Sequence, residues 1–479
     1  MKHIIISTRA AVFVTVFFLS CPIYASQHNK ELLPEKLLED LIFLFEKVEK
    51  IHPDIYGHTS QSLIDSLKQD VIYKLDKPMN SLDFARLIIP LVAALNDGHT
   101  KVDWPWKYRR DYLDNNGAIF PFDVMIRGGR IYVVNNYSAD TTITTNAEIL
   151  SLNGIPTKQL IKEMRRFISA ELDHFRDVMI GERFGWHLWH VYGFEDIYDL
   201  EINQNRKTKV KRVNGVTLEE LRAKRGPIEP KPNYRYYVIN NNTIGVIEIN
   251  EMTDNNKFKS LLDSAFKSIN EQQIRHLIID IRQNNGGNSD LANTLFNYIT
   301  DKPYKLIEEV DIKVSRAIKR NFRQNTPLLV RPLFYTVLQF NPIARAFTFA
   351  RPGKTLTYSP KISKPKNVEY KFDGDVYLLT GPVTFSSAIA IAAPFKCYNM
   401  GLVIGEETGG TLSGFTNLID FELPNSGLQA QSSFMRYVHP CYDGKVRGVI
   451  PDVIITPTPK ELQQGYDSVI NYIIKKVNQ

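Results

Sequence analysis

Three short stretches of this 479-residue chain carry residue types that could do chemistry. The first runs Val376-Tyr377-Leu378-Leu379-Thr380-Gly381-Pro382-Val383-Thr384-Phe385-Ser386-Ser387 and continues into the small-residue run Ala388 to Ala393. An apolar run closed by Thr-Gly-Pro predicts a buried strand, and the run after Ser386 predicts a tightly packed helix. A serine at such a helix start has its hydroxyl beside free backbone N–H groups and the positive end of the dipole, which favour a developing oxyanion. The same place suits an ordinary N-cap, and this stretch alone leaves both readings open.

The second stretch is Leu95-Asn96-Asp97-Gly98-His99-Thr100-Lys101-Val102. Gly98 fits a helix C-cap, which places His99 on the exit loop. A lone histidine is more often a packed or surface residue, yet a neutral imidazole on a fixed turn is a suitable base near physiological pH. The third stretch, Asp280-Ile281-Arg282-Gln283-Asn284-Asn285-Gly286-Gly287, sets paired glycines between a predicted buried strand and the helix Leu291 to Tyr298. Such glycines let backbone approach a ligand and aim N–H groups at it, or simply make a tight turn. No Gly-Lys-Ser/Thr follows, so this is not a phosphate-binding P-loop.

The elements around these stretches predict a multidomain α/β chain. Leu32 to Ile51, Ser60 to Tyr73 and a segment from Asn80 or Ser81 to Asn96, with Pro90 inside it, show helical periodicity. They define a helical N-terminal domain over 30–115. From Ile119 the pattern turns β-like, with a Gly128-Gly129 turn and a helix over Thr157 to Phe167. This gives a β-rich middle domain over 116–225. His187 and His190 have a spacing that fits one helical turn, but Trp186 and Trp189 interleave with them and point to aromatic packing rather than metal. The Pro-rich, charged stretch Lys224 to Tyr234 reads as a linker. Beyond it, Thr243 to Ile249, Lys257 to Asn270 and Leu277 to Ile281 alternate strand, helix, strand, the pattern of an α/β domain with right-handed crossovers over 226–479. Within it, about 302–372 is a basic insertion containing the hydrophobic piece Pro332 to Phe340, expected to be solvated.

The net charge of +7 is modest for this length and does not indicate nucleic acid. Lys2 and Arg9 precede the apolar run Ala10 to Leu19, with small residues near Ala25, the layout of a signal peptide over 1–25. Export to the periplasm, to the outer membrane or out of the cell is the expectation. Phe18-Leu19-Ser20-Cys21 is a relaxed lipoprotein signal, so a membrane tether through Cys21 competes with cleavage after Ala25. In an oxidising compartment Cys397 and Cys441 could pair.

Taken together, Ile278 to Gly287 resembles the strand and glycine loop of the C-terminal processing (tail-specific) and tricorn-core serine peptidases. Thr384-Phe385-Ser386-Ser387-Ala388 resembles their nucleophile segment. Gly405-Glu406-Glu407-Thr408-Gly409-Gly410 and Gly448-Val449-Ile450-Pro451-Asp452 resemble their later motifs. Residues 148–154 are similar to a segment of PDZ domains. The resemblance implies a PDZ-like middle domain, a Clp-protease/crotonase-like catalytic domain, a polypeptide substrate and no cofactor or metal.

By the same resemblance Ser386 is the nucleophile. No Lys, Arg or His occurs from Cys397 through Met435, where the Ser-Lys branch keeps its lysine. The histidine-dependent branch takes its base from a segment that Asp97-Gly98-His99 resembles, which implies His99 as general base. Asp443 lies nearest the family's orienting acid, with Glu406 as the alternative. The oxyanion donors implied are the N–H groups of Gly287, Gly286 and Ser387. A catalytically inactive peptide- or lipophile-binding protein on this scaffold is the main alternative, since Ile389 stands where the family has an acid. A crotonase-type acyl-thioester enzyme is a third, and would not need His99 and Ser386 together.

Overall fold

The computed structural model describes residues 31–194, 196–227, 229–325 and 342–479. The signal-like segment, Cys21 and Pro332 to Phe340 lie outside the described residues.

Three sheets organise the chain. In the first sheet, strands Ile244–Ile249, His276–Asp280, Asp375–Thr380, Leu402–Gly405 and Val453–Ile454 run parallel, and Tyr234–Ile239 adds an antiparallel edge. The parallel strands read as near-continuous apolar runs because both faces are covered. One face packs on Phe258, Leu262, Phe266 and Phe296; the other packs on Val469 and Ile473 of the final long helix, Ser468–Val477.

The middle sheet joins Phe122–Arg127, Arg130–Asn136, Glu148–Leu152, Ile197–Gln204 and Lys207–Asn214, all antiparallel. Helices Thr157–Arg165 and Asp173–Glu182 belong to the same core. Asp173–Glu182 lies along the Phe122–Arg127 edge, where a Cβ on Gly181 would come 3.3 Å from the Val124 carbonyl oxygen.

The third sheet bridges the regions. In the hairpin Ser413–Glu422 and Gln429–Val438, the free edge of the second strand pairs with Lys101–Val102 near its start and with Glu309–Lys313 near its end. Its Leu423, Leu428 and Ala430 share a core with the N-terminal helices Pro34–Ile51, Gln61–Lys74 and Ser81–Ala93. The helical region is therefore cored together with chain from the C-terminal half. The basic insertion departs from the expectation of a solvated excursion. Glu309–Lys313 and Thr355–Tyr358 are sheet strands, and Ile318 of the helix Arg316–Asn325 is buried with Ile51, Ile419 and Phe434. Alternate apolar positions in an otherwise charged helix suffice for this, because one buried face fixes it.

Cys397, at the end of the helix Ile389–Cys397, is bonded to Cys441.

Candidate active site

The nucleophile candidate sits on a turn that the glycine loop props from behind. Thr384 Oγ1 donates to the Ile281 carbonyl (2.9 Å), and Phe385 N–H donates to the Asn284 carbonyl (3.0 Å). Ser386 itself has φ +53°, a left-handed conformation that a side chain adopts at a cost of order 1–3 kcal/mol and that persists only where surroundings over-determine it. A 3₁₀ turn, Ser386–Ala388, leads into the helix, and neither serine caps it. Ser387 Oγ donates to the Gly287 carbonyl (2.6 Å). The N-cap alternative thus gives way to a hydroxyl held clear of its own helix.

Ser386 Oγ lies 3.1 Å from His99 Nε2, a contact between residues 287 apart in sequence. The two most separated of the three chemical stretches meet directly.

The loop carrying His99 is built differently from the expected glycine C-cap. Ser81–Ala93 ends at Ala94, and the left-handed residue is Asn96 (φ +53°), whose side chain donates to the His58 carbonyl (3.0 Å). Gly98 is needed for space: a Cβ there would lie 2.8 Å from Phe385 Cζ and 3.1 Å from Glu171 Oε2. His99 stacks on Phe385, ring centroids 5.0 Å apart, and Gln431 donates to its carbonyl (2.9 Å).

Beneath the loop lies Asp97, fully buried. Its Oδ1 accepts the His99 N–H (2.8 Å), and its Oδ2 accepts from Ser433 Oγ (2.8 Å) and contacts His52 Nε2 (3.1 Å). His52 Nδ1 accepts the Asp54 N–H (3.2 Å), which assigns the ring hydrogen to Nε2 and makes His52 a donor to Asp97. Burial alone would raise the Asp97 carboxyl, but the hydrogen bonds it accepts, that from His52 first, outweigh it and hold the group well below the carboxylate range. Sequence reasoning passed over Asp97, His52 and Ser433 as participants. The buried His52-Pro53 helix end offered a faint signal; Ser433 offered none.

Burial lowers the His99 pKa, opposed by the Asp97 charge, so the imidazole is neutral near pH 7. If Ser386 Oγ–H donates to Nε2, Nδ1 carries the other hydrogen, and Nδ1 is buried without a hydrogen-bond partner. The Phe415 main chain is close enough to favour the charged ring but lies outside hydrogen-bond geometry.

Neither predicted acid meets it. Asp443 is an exposed carboxylate paired with Arg447 (2.8 Å). It follows the hairpin on a surface loop, where local spacing favours the i,i+4 arginine. Glu406 pairs with Arg127 of the middle sheet. Glu406 and Arg127 line a cleft of about 610 Å³ between the Phe122–Arg127 edge and Gly381–Val383.

Among the oxyanion candidates, Gly286 N–H is already bonded to Asn284 Oδ1 (2.9 Å) and is not free. Met252 pairs with the residues on either side of Gly287, through the Gly286 carbonyl and the Asn288 N–H, so Gly287's own N–H points away from that ladder. Its φ of +128°, and the 2.1 Å at which a Cβ would meet the Met252 carbonyl oxygen, admit only glycine. Ser387 N lies at the same junction, 3.1 Å from where a Gly286 Cβ would stand. His190 stacks on Trp104, centroids 4.3 Å apart, as aromatic packing requires.

Residues 243–455 match the model of peptidase family S41. This segment is similar to S41 peptidases. The match supports a hydrolase of the serine-peptidase class, a class that acts on polypeptides. No curated protein matches the chain. Among solved structures, a serine-to-alanine mutant of CPAF aligns over 92% of this chain and 97% of its own, at 14% identity and TM-score 0.66. Mature CPAF complexed with lactacystin aligns over 93% and 98%, at 14% identity and TM-score 0.62. These likenesses extend a shared fold well beyond the S41-like segment.

Proposed function

We propose that the chain is an exported serine peptidase of the histidine-dependent kind, with Ser386 as nucleophile and His99 as general base. The observation that carries this reading is the 3.1 Å contact between Ser386 Oγ and His99 Nε2. His99 takes the Oγ proton as Oγ bonds to the scissile carbonyl carbon, then protonates the leaving amine; water repeats the sequence on the acyl-enzyme. The carbonyl oxygen becomes negative in each tetrahedral intermediate, and the Gly287 and Ser387 N–H groups are its donors. One such donor contributes about 3 kcal/mol to lowering the barrier.

The middle sheet acts as a PDZ-like brace. The close packing of Asp173–Glu182 on the Phe122–Arg127 edge favours bracing over gripping a peptide end. The apolar run after Lys2 and Arg9 and the Cys397–Cys441 bond support export. Among the described residues no helix is long and apolar enough to cross a membrane. Mass spectrometry of the mature N-terminus decides between a lipidated Cys21 and cleavage after Ala25, and an intact Met1 in exported material sinks both.

The catalytic test is a fluorophosphonate probe. Wild type labels, Ser386→Ala does not, and His99→Ala labels roughly 10²-fold more slowly or worse. Equal labelling of wild type and Ser386→Ala overturns the nucleophile and leaves the inactive-scaffold reading.

A further inference from the structure

One short segment of the middle region touches every part of this site. His174 Nε2–H donates to the Thr408 carbonyl (3.0 Å). Phe175 stacks on Phe385, centroids 4.4 Å apart, and only glycine at 409 leaves room for it, since a Cβ there would lie 2.7 Å from the Phe175 ring. Arg176 donates to Asn96 Oδ1 (2.6 Å), to the Ile168 carbonyl (3.1 Å) and to the Ala170 carbonyl. Glu171 puts its carboxyl against Gly98.

The Glu171 carboxyl is enclosed although the residue is half-buried, and its Oε2 has no hydrogen-bond partner. Around it stand Asp97 on the base loop, Arg176 on the helix that follows it and Tyr437 on the bridging hairpin. Burial first, and the Asp97 charge second, push the group up to about 8, against weaker lowering by the Gly98 N–H and Arg176. It is therefore neutral at pH 7. An acid kept buried, neutral and half-unpaired is costly to the fold, and such groups collect at functional sites. The next residue of the same loop holds a second buried atom without a partner, His99 Nδ1.

We propose that Glu171 is a positioning residue of the peptidase site: seated against Gly98 by the docked segment Glu171–Arg176, its carboxyl oxygen accepts from the Gly98 N–H and fixes the loop that holds the His99 imidazole as it takes the Ser386 proton. The inference rests on the Ser386–His99 reading. A neutral carboxyl still has a carbonyl oxygen that accepts a hydrogen bond, here toward the Gly98 N–H. The Ser386 proton rests on Nε2 until it passes to the leaving amine. The base is then fully set only while the middle region is docked.

The test compares Glu171→Leu and Glu171→Gln by peptide turnover, by fluorophosphonate labelling of Ser386 and by pH profile. Leucine removes the acceptor: kcat and labelling fall roughly tenfold to a hundredfold with KM within about twofold. Glutamine keeps a carbonyl acceptor and cannot ionise. It restores most of kcat and abolishes a transition in kcat/KM that wild type shows near pH 8. Wild-type kcat in Glu171→Leu, equal losses in both variants, or a pH profile unchanged in Glu171→Gln overturns the proposal. Failure of wild type to label at Ser386 overturns the peptidase site itself, and is distinguishable because it does not depend on Glu171.

Discussion

The loop that carries His99 and the segment docked on it from the middle region each bury a carboxyl beside Gly98, and the two groups are in opposite states. Asp97 receives hydrogen bonds from His52, Ser433 and the His99 N–H and is held as an anion. Glu171, with Oε2 unpaired and Asp97 for a neighbour, is held neutral. Burial pushes both upward; the number of donors decides which one ionises. One carboxyl thus anchors the backbone of the base, while the other stays uncharged where a second anion would repel the first.

Removing the anchored charge should have the largest effect. Asp97→Asn leaves His52 and Ser433 without their shared acceptor charge, and losing a hydrogen bond to a charged group costs about 1.5–3 kcal/mol. Urea unfolding should show that loss together with much slower Ser386 labelling; wild-type stability would mean that Asp97 is not the anchor.

Glu171→Gln should move stability the other way. The folded-state pKa of Glu171 lies above its unfolded value, so its contribution is fully present below about pH 4.5 and is lost as pH rises to about 8. The glutamine variant should therefore gain, relative to wild type, on the order of a few kcal/mol at pH 8 and almost nothing at pH 4.5. A gain that does not vary with pH would mean that Glu171 is not buried neutral.

The pH dependence of turnover sharpens the same contrast. Because burial depresses His99, the acid limb of kcat/KM should fall below the ordinary histidine value of 6.5. An acid limb above 6.5 would show that Asp97 dominates the ring as well as the loop. The smallest effect is expected at Asp443. Asp443→Asn disturbs an exposed pair with Arg447 and should leave labelling rate and unfolding midpoint unchanged; a large rate loss would restore it as the orienting acid.

Much of the scaffold was legible along the chain. The parallel strands were readable as apolar runs, and the helices at Pro34–Ile51 and Asn255–Glu271 as periodic ones, because burial on one face or two writes itself into residue type. Gly287 was legible too, since a backbone that must approach another closely tolerates no side chain. The basic insertion misled, because a charged helix needs only a few apolar positions to dock. Asn96 took the left-handed turn expected of Gly98, and Gly98 proved necessary for packing instead.

By itself the sequence determined the residue types of the site: a serine before a small-residue helix, a histidine after a helix end, paired glycines after a buried strand. Asp97 stands two residues before His99 and was within its motif, but only the tertiary structure brought Glu171 and Ser433 to it. Glu171 lies 74 positions beyond Asp97 and Ser433 farther still, and nothing local marks either. Hydrogen bonding and desolvation act through space over a few ångströms, so the partners of His99 exist only once the helices, the bridging hairpin and the middle region share one junction.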